Sequence, residues 1–196
     1  MSAVNHRQRS LQVAAFVAVL STPLLVLVAA GACSTPPSDA RIGVDAPDRA
    51  TFDPVGSLLD HRCGSLDCHG TTQRNLVIWG CEGLRLEPAD ASVEAGTYLF
   101  PGCRTSGQKN TTELEFESTY RSLVGLEPTV MSTVVGGHGA HPELLTFIRK
   151  ARGWDAHKGG VIWMAGDPSD DCVTSWLAAD PDASASSCAT ALMSTP

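Results

Sequence analysis

Apolar and polar positions are unevenly distributed along the 196-residue chain. A short polar start carrying His6, Arg7 and Arg9 leads into an apolar run from Leu11 to Ala30 that contains no charge. This pattern reads as an export signal over residues 1–32. The run is long enough to span a bilayer, but Ser21, Thr22 and Pro23 interrupt it, and the small residues before Cys33 favour cleavage. From Ser34 to Ala50 the apolar pattern disappears: three prolines, mixed charge and almost no bulky side chain predict a flexible, disordered tether over residues 33–50. Helical periodicity follows in four places. Asp53 to Arg62, with Pro54 in its first turn, predicts a short helix leading into Cys63. Thr112 and Glu115 form a candidate capping box ahead of an apolar face of Leu114, Phe116, Tyr120, Leu123 and Val124. A third helix starts at Pro142 and Glu143, buries Leu144, Leu145 and Ile148, places Arg149, Lys150 and Arg152 in its last turn and stops at Gly153. The fourth has Asp167 as N-cap, Pro168 first, Asp170 and Asp171 in its opening turn, and Val173, Trp176 and Leu177 facing inward. Gly136–Gly139 and Gly159–Gly160 read as loops, Met131 as core. The expectation is a mainly α fold: a small helical domain with long loops over residues 51–179, then a tail, 180–196, of Ala, Ser and Asp with little to pack.

Charge narrows the possible partners. The chain has 14 Lys+Arg against 21 Asp+Glu, a net of −7. Removing residues 1–32 takes away Arg7 and Arg9 and no acid, which leaves a net of −9. No basic stripe is present, so a nucleic-acid partner, which needs clustered Lys and Arg, is not expected. Neither a hydrolytic triad, a phosphate loop nor a paired-carboxylate site is evident, and an enzyme is not the favoured class. The seven cysteines carry more information, because so many in a short chain imply disulfides, metal or redox chemistry. Ala30-Gly31-Ala32-Cys33 resembles a bacterial lipobox, with Ala where Leu is usual, and implies lipidation of Cys33; the same residues also satisfy ordinary Ala-x-Ala secretory cleavage.

The chemical centre is Cys63-Gly-Ser-Leu-Asp-Cys68-His69-Gly70. Two thiols followed directly by an imidazole are what covalent haem attachment needs: each thiol adds to a vinyl group, and the adjacent histidine binds the iron as proximal ligand. The two-residue gap usual between the cysteines is four here, resembling the CxxxxCH variant of c-type cytochromes. Two alternatives use the same residues. Cys63 and Cys68 can form a disulfide, or they can hold zinc with two of His61, His69 and a distant group. Asn75 to Pro88 (NLVIWGCEGLRLEP) and His141 to Ala178 (HPELLTFIRKARGWDAHKGGVIWMAGDPSDDCVTSWLA) are similar to cytochrome c domains of the planctomycete type. Those domains carry a CHG haem motif, a Gly-Leu-Arg-Leu-like segment, a His-Pro-Glu helix, a His-x-Gly-Gly loop and a terminal helix ending in Trp-Leu or Trp-Ile. The resemblance covers roughly residues 52–179, with an insertion of this chain's own from Ala89 to Thr112, and implies a cytochrome c-like fold with one covalent haem c.

For the sixth iron ligand, His157 matches the His-x-Gly-Gly loop, whose glycines allow a close backbone approach, and Met164 is the alternative. His138 and His141 read as loop residues, and His61 as pointing away from the iron. Trp79, Trp154, Trp163 and Trp176 are candidates for a haem crevice or for plain core. Cys81 with Cys103 and Cys172 with Cys188 are the expected disulfides by sequence proximity. The whole implies an exported, lipid-anchored mono-haem cytochrome facing the periplasm or cell surface and exchanging electrons with redox partner proteins. A disulfide-stabilised surface lipoprotein that binds a partner without haem is the alternative, and a haem enzyme such as a peroxidase a third.

Overall fold

A computed structural model describes residues 44–86 and 110–194. The architecture is mainly α, and among the described residues two isolated bridges, Ser65 with Gly83 and Trp79 with Leu84, are the β pairing seen. Among the described residues a 3₁₀ turn at Arg49–Thr51 is followed by six α-helices: α1 Asp53–Cys63, α2 Glu113–Val124, α3 Pro128–Gly136, α4 Thr146–Ala151, α5 Pro168–Leu177 and α6 Pro181–Met193. Among the described residues no helix is long and apolar enough to cross a membrane. The candidate signal and Cys33 lie outside them.

Local signals account for most of these boundaries. The Thr112 hydroxyl accepts from the Glu115 amide and the Glu115 carboxylate accepts from the Thr112 amide, closing the expected capping box of α2. Asp167 accepts from the amides of Ser169 and Asp170 and starts α5, with Pro168 in its first turn where a missing amide costs nothing. Val173, Trp176 and Leu177 are buried as expected, with Phe52, Val55, Leu58 and Leu59 of the first helical segment against the same core. Phe52 sits between Trp176 and Tyr120, its ring centroid 5.2 Å and 5.5 Å from theirs.

Four expectations change. The third expected helix is two pieces, a 3₁₀ turn Pro142–Leu144 and α4, separated by Leu145 in an extended conformation. The break arises because Glu127 reaches across to accept from the Thr146 amide at 2.7 Å and the Thr146 hydroxyl at 2.8 Å, restarting the helix there. Leu144 consequently turns outward and is half exposed, and Leu114 of α2 is likewise exposed. α3 was not anticipated; it has Pro128 in its first turn and buries Met131 and Val134. The start of the domain also moves. Residues 44–50, expected in the tether, lie against it: Tyr120 donates to the Pro47 carbonyl, Trp176 to the Asp48 carbonyl, and the Asp45 amide to Ser132.

The tail is the largest change. Its residues form α6, which packs on α5 and α1 and buries Ser184, Cys188, Ala191 and Leu192. Small side chains allow this close approach, and the Ser184 hydroxyl donates to the Cys172 carbonyl at 2.8 Å. The expected Cys172–Cys188 disulfide is present, spanning 16 positions. Cys81 is also disulfide-bonded, and its expected partner Cys103 lies outside the described residues. Replacing both Cys172 and Cys188 by serine is expected to cost about 3 kcal/mol of stability, the cost for a loop of this size. Denaturant unfolding of the variant beside the oxidised wild type measures it, and equal midpoints would show that packing alone holds α6.

Candidate functional site

Cys63 is the last residue of α1, and the chain turns back on itself directly after it. The Gly64 amide caps the helix on the Asp60 carbonyl, and the amides of Cys68 and Gly70 both return to the Ser65 carbonyl. The His69 amide donates to the Cys63 carbonyl at 2.9 Å. This loop brings the second cysteine and the histidine beside the first, while Ser65, Leu66 and Asp67 bulge into solvent. Two glycines make the turn possible by close approach. A Cβ on Gly70 would lie 2.0 Å from the Gly64 carbonyl oxygen, and one on Gly83 would lie 1.9 Å from the same atom. The motif glycine and the glycine of the Gly-Leu-Arg-Leu segment thus meet at one carbonyl.

Asp60 holds that segment in place. Its buried carboxylate accepts from the Thr111 hydroxyl at 2.7 Å and from the amides of Cys81 and Glu82. Burial pushes its pKa up, opposed by these donors. Further along, the amides of Val77 and Trp79 donate to Ser122 and Thr119 of α2. With residues 76–80 fixed in this way, the Leu76 carbonyl stands 3.0 Å from His69 Nδ1. Nδ1–H donates there, leaving the Nε2 lone pair as the free coordinating atom.

His157 makes a matching contact. Its Nδ1 lies 3.1 Å from the Gly160 carbonyl within its own Gly159-Gly160 turn, so its Nε2 is the free nitrogen as well. The ring centroids of His69 and His157 are 6.0 Å apart with planes inclined by 26°. Both histidines line one cavity of about 480 Å³, within the size range of cofactor sites, and Cys63 lines it too. Leu59, Leu76, Leu126, Phe147, Ile162 and Trp163 supply an apolar wall, and Arg74 and Lys150 bring positive charge to the lining. The Trp163 indole N–H is buried with no acceptor among the described residues.

Protonation suits metal binding. Burial holds the His69 imidazole below its usual value of 6.5, opposed by the Leu76 hydrogen bond and helped by the His157 and Arg74 charges, so the ring is neutral near pH 7. In the haem-free chain the unfolded state therefore binds more protons at this site than the folded state does. Its contribution is complete above pH 6.5 and is lost as pH falls through that value toward the lower folded one. NMR titration of the apo protein is expected to show His69 titrating below 6.5; an ordinary or raised value would contradict this. Burial also pushes the Cys63 thiol up to about 12, with the neighbouring Cys68 adding to it, so Cys63 is a neutral thiol.

The other candidates sort by position. Cys63 and Cys68 are both free thiols, in contrast to Cys172 and Cys188. Met164 is 71% exposed and is not among the cavity-lining residues. His61 faces Glu82, 4.0 Å away, rather than the cavity. His138 and His141 are loop residues with positive φ. Trp163 reaches the cavity, Trp176 is core and Trp154 is largely exposed. Among the described residues no three His, Cys, Asp or Glu side chains converge as a metal cluster. Two neighbouring imidazoles suit a metal whose remaining donors come from a macrocycle, and the apolar wall with basic groups suits a flat apolar ring bearing carboxylates. Haem therefore fits the residues present. The sequence reading missed the Leu76 and Gly160 carbonyls, which as backbone atoms leave no residue-type signal, and Arg74, whose only cue is a cation five positions after His69.

Comparison with known proteins adds no relative: no family model, curated protein or solved structure matches the chain.

Proposed function

We propose that this chain is an exported cytochrome c-like electron carrier, with one haem c held through thioethers at Cys63 and Cys68 and with His69 and His157 as the two iron ligands. The carrying observation is the pair of stacked imidazoles 6.0 Å apart in the cavity that Cys63 lines, each with Nδ1 on a backbone carbonyl. The bound haem would supply reversible one-electron chemistry. The chain's own residues supply the rest: the thiols fix the group, the two carbonyls orient the imidazoles, and the apolar wall restricts water. Bis-imidazole ligation favours a comparatively low potential.

Export is supported by the uncharged run from Leu11 to Ala30 and by disulfides at Cys172–Cys188 and Cys81, which persist in oxidising compartments. Cys33 is the proposed lipid anchor, and redox proteins at the membrane surface the proposed partners. Labelled fatty acid is expected to enter the wild type and not Cys33→Ser; equal labelling of both would contradict the anchor.

Expression in a host with c-type maturation tests the cofactor reading. The purified wild type is expected to show a low-spin haem spectrum that survives acid–organic extraction. A colourless protein would contradict the reading and favour a haem-free binding module.

A further inference from the structure

The loop that carries His157 runs from the end of α4 to the start of α5 without regular structure. Among the described residues the His157 imidazole hydrogen-bonds within its own turn, so its place beside His69 depends on what fixes the loop; Lys150 Nζ donates to the adjacent Ala156 carbonyl at 2.8 Å. At its two ends stands a bidentate ion pair. Arg152 Nε and Nη2 each donate at 2.8 Å to one oxygen of Asp170. The two side chains are 8% and 3% exposed, making this the most buried ion pair among the described residues. Asp170 also accepts from the Gly166 amide at 2.9 Å, and the Arg152 guanidinium lies 5.1 Å from the Trp154 ring. One pair thereby touches the first residues of the loop, its last residues and the first turn of α5. Next to Arg152, the Ala151 carbonyl accepts from the amides of Ile162 and Trp163 at 2.8 Å and 3.2 Å, placing these two cavity-lining residues. Neither Arg152 nor Asp170 lines the cavity.

We propose that the Arg152–Asp170 pair is a brace that holds the His157 loop closed against the His69 side of the cavity, making both residues positioning residues for the sixth iron ligand. This rests on the cytochrome reading above. A planar guanidinium bound to both carboxylate oxygens fixes orientation as well as distance, which a lysine cannot reproduce. Removing either partner leaves the other charged and buried, so the loop gains by opening to hydrate it. The more exposed Arg149–Asp155 pair, also between α4 and this loop, is hydrated already and carries less of the load.

The test compares Arg152→Gln, Asp170→Asn and Arg152→Lys with the wild type, each matured with covalent haem. Arg152→Gln and Asp170→Asn are expected to keep the haem and the helical content but to lose most of the low-spin spectrum and bind carbon monoxide in the ferrous state. Arg152→Lys is expected to fall between them and the wild type. A purely structural pair would lower the unfolding midpoint and leave spectrum and potential unchanged, and that result overturns the proposal. Should Arg152→Gln fail to fold, Asp170→Asn and Arg152→Lys decide by the same readout. Amide exchange on the haem-free proteins gives an independent reading: faster exchange at Ile162 and Trp163 with α6 still protected is expected, and unchanged exchange overturns the brace. Wild type lacking covalent haem overturns the cytochrome reading itself, a result separate from haem-loaded variants with unaltered spectra.

Discussion

Replacing His157 by alanine in the haem-loaded protein is expected to convert the iron from low-spin to high-spin in nearly all molecules, while Met164→Leu leaves the spectrum as it is. The expectation follows from position. His157 sits 6.0 Å from His69 with its Nδ1 occupied by the Gly160 carbonyl, whereas Met164 is 71% exposed and its backbone is tied to Asp167 outside the cavity. Among the described residues the other imidazoles lie elsewhere: His61 is turned to Glu82, and His138 and His141 belong to a different loop. Absorption and electron paramagnetic resonance spectra of the two variants provide the check. A low-spin His157→Ala protein, or loss of the low-spin state in Met164→Leu, would contradict the ligand assignment.

A second large effect is expected at Gly70. Alanine there would put a methyl group 2.0 Å from the Gly64 carbonyl oxygen, far inside contact distance and against backbone rather than a movable side chain. Relief requires the turn after Cys63 to open, which breaks the return of the Gly70 amide to Ser65 and shifts His69. Overpacking of this kind costs about 1–3 kcal/mol, and against backbone the upper end is expected, a sizeable share of the roughly 5–15 kcal/mol that holds a domain folded. Gly70→Ala is therefore expected to lower the denaturation midpoint and to accumulate poorly as a haem-loaded protein. Gly83→Ala, blocked by the same oxygen at 1.9 Å, is expected to behave alike. Gly160→Ala should cost less, because its Cβ meets nothing within 4 Å and only its positive φ opposes it. Wild-type midpoints in Gly70→Ala and Gly83→Ala would contradict the close-approach account.

The residues that announce themselves are those whose role depends on local chemistry. Thr112 with Glu115 and Asp167 with Pro168 are each readable within a few positions, and the structure places them as the pattern suggests; the Cys63, Cys68 and His69 spacing is readable on the same short scale. What the pattern missed depends on distant partners. α6 is built from Ala and Ser with little apolar periodicity, and its burial comes from a disulfide and close packing on α5. α3 is rich in β-branched Val and Thr, weak helix formers, and is held by burial of Met131 and Val134. The break at Leu145 comes from Glu127, 19 positions away from Thr146. Arg152 read naturally as a charge at the favourable end of a helix, and only the fold reveals Asp170 as its partner. His157 was legible from its glycines, but the carbonyls that orient both imidazoles were not.

The central claim is that Cys63 and Cys68 are haem thioethers, and the most direct measurement is mass mapping of the proteolytic peptide spanning Cys63 to His69 from protein matured in a c-type host. That peptide is expected to carry one haem, with neither cysteine open to alkylation after denaturation. A peptide without haem, with both thiols alkylated or with Cys63 and Cys68 joined to each other, would contradict it.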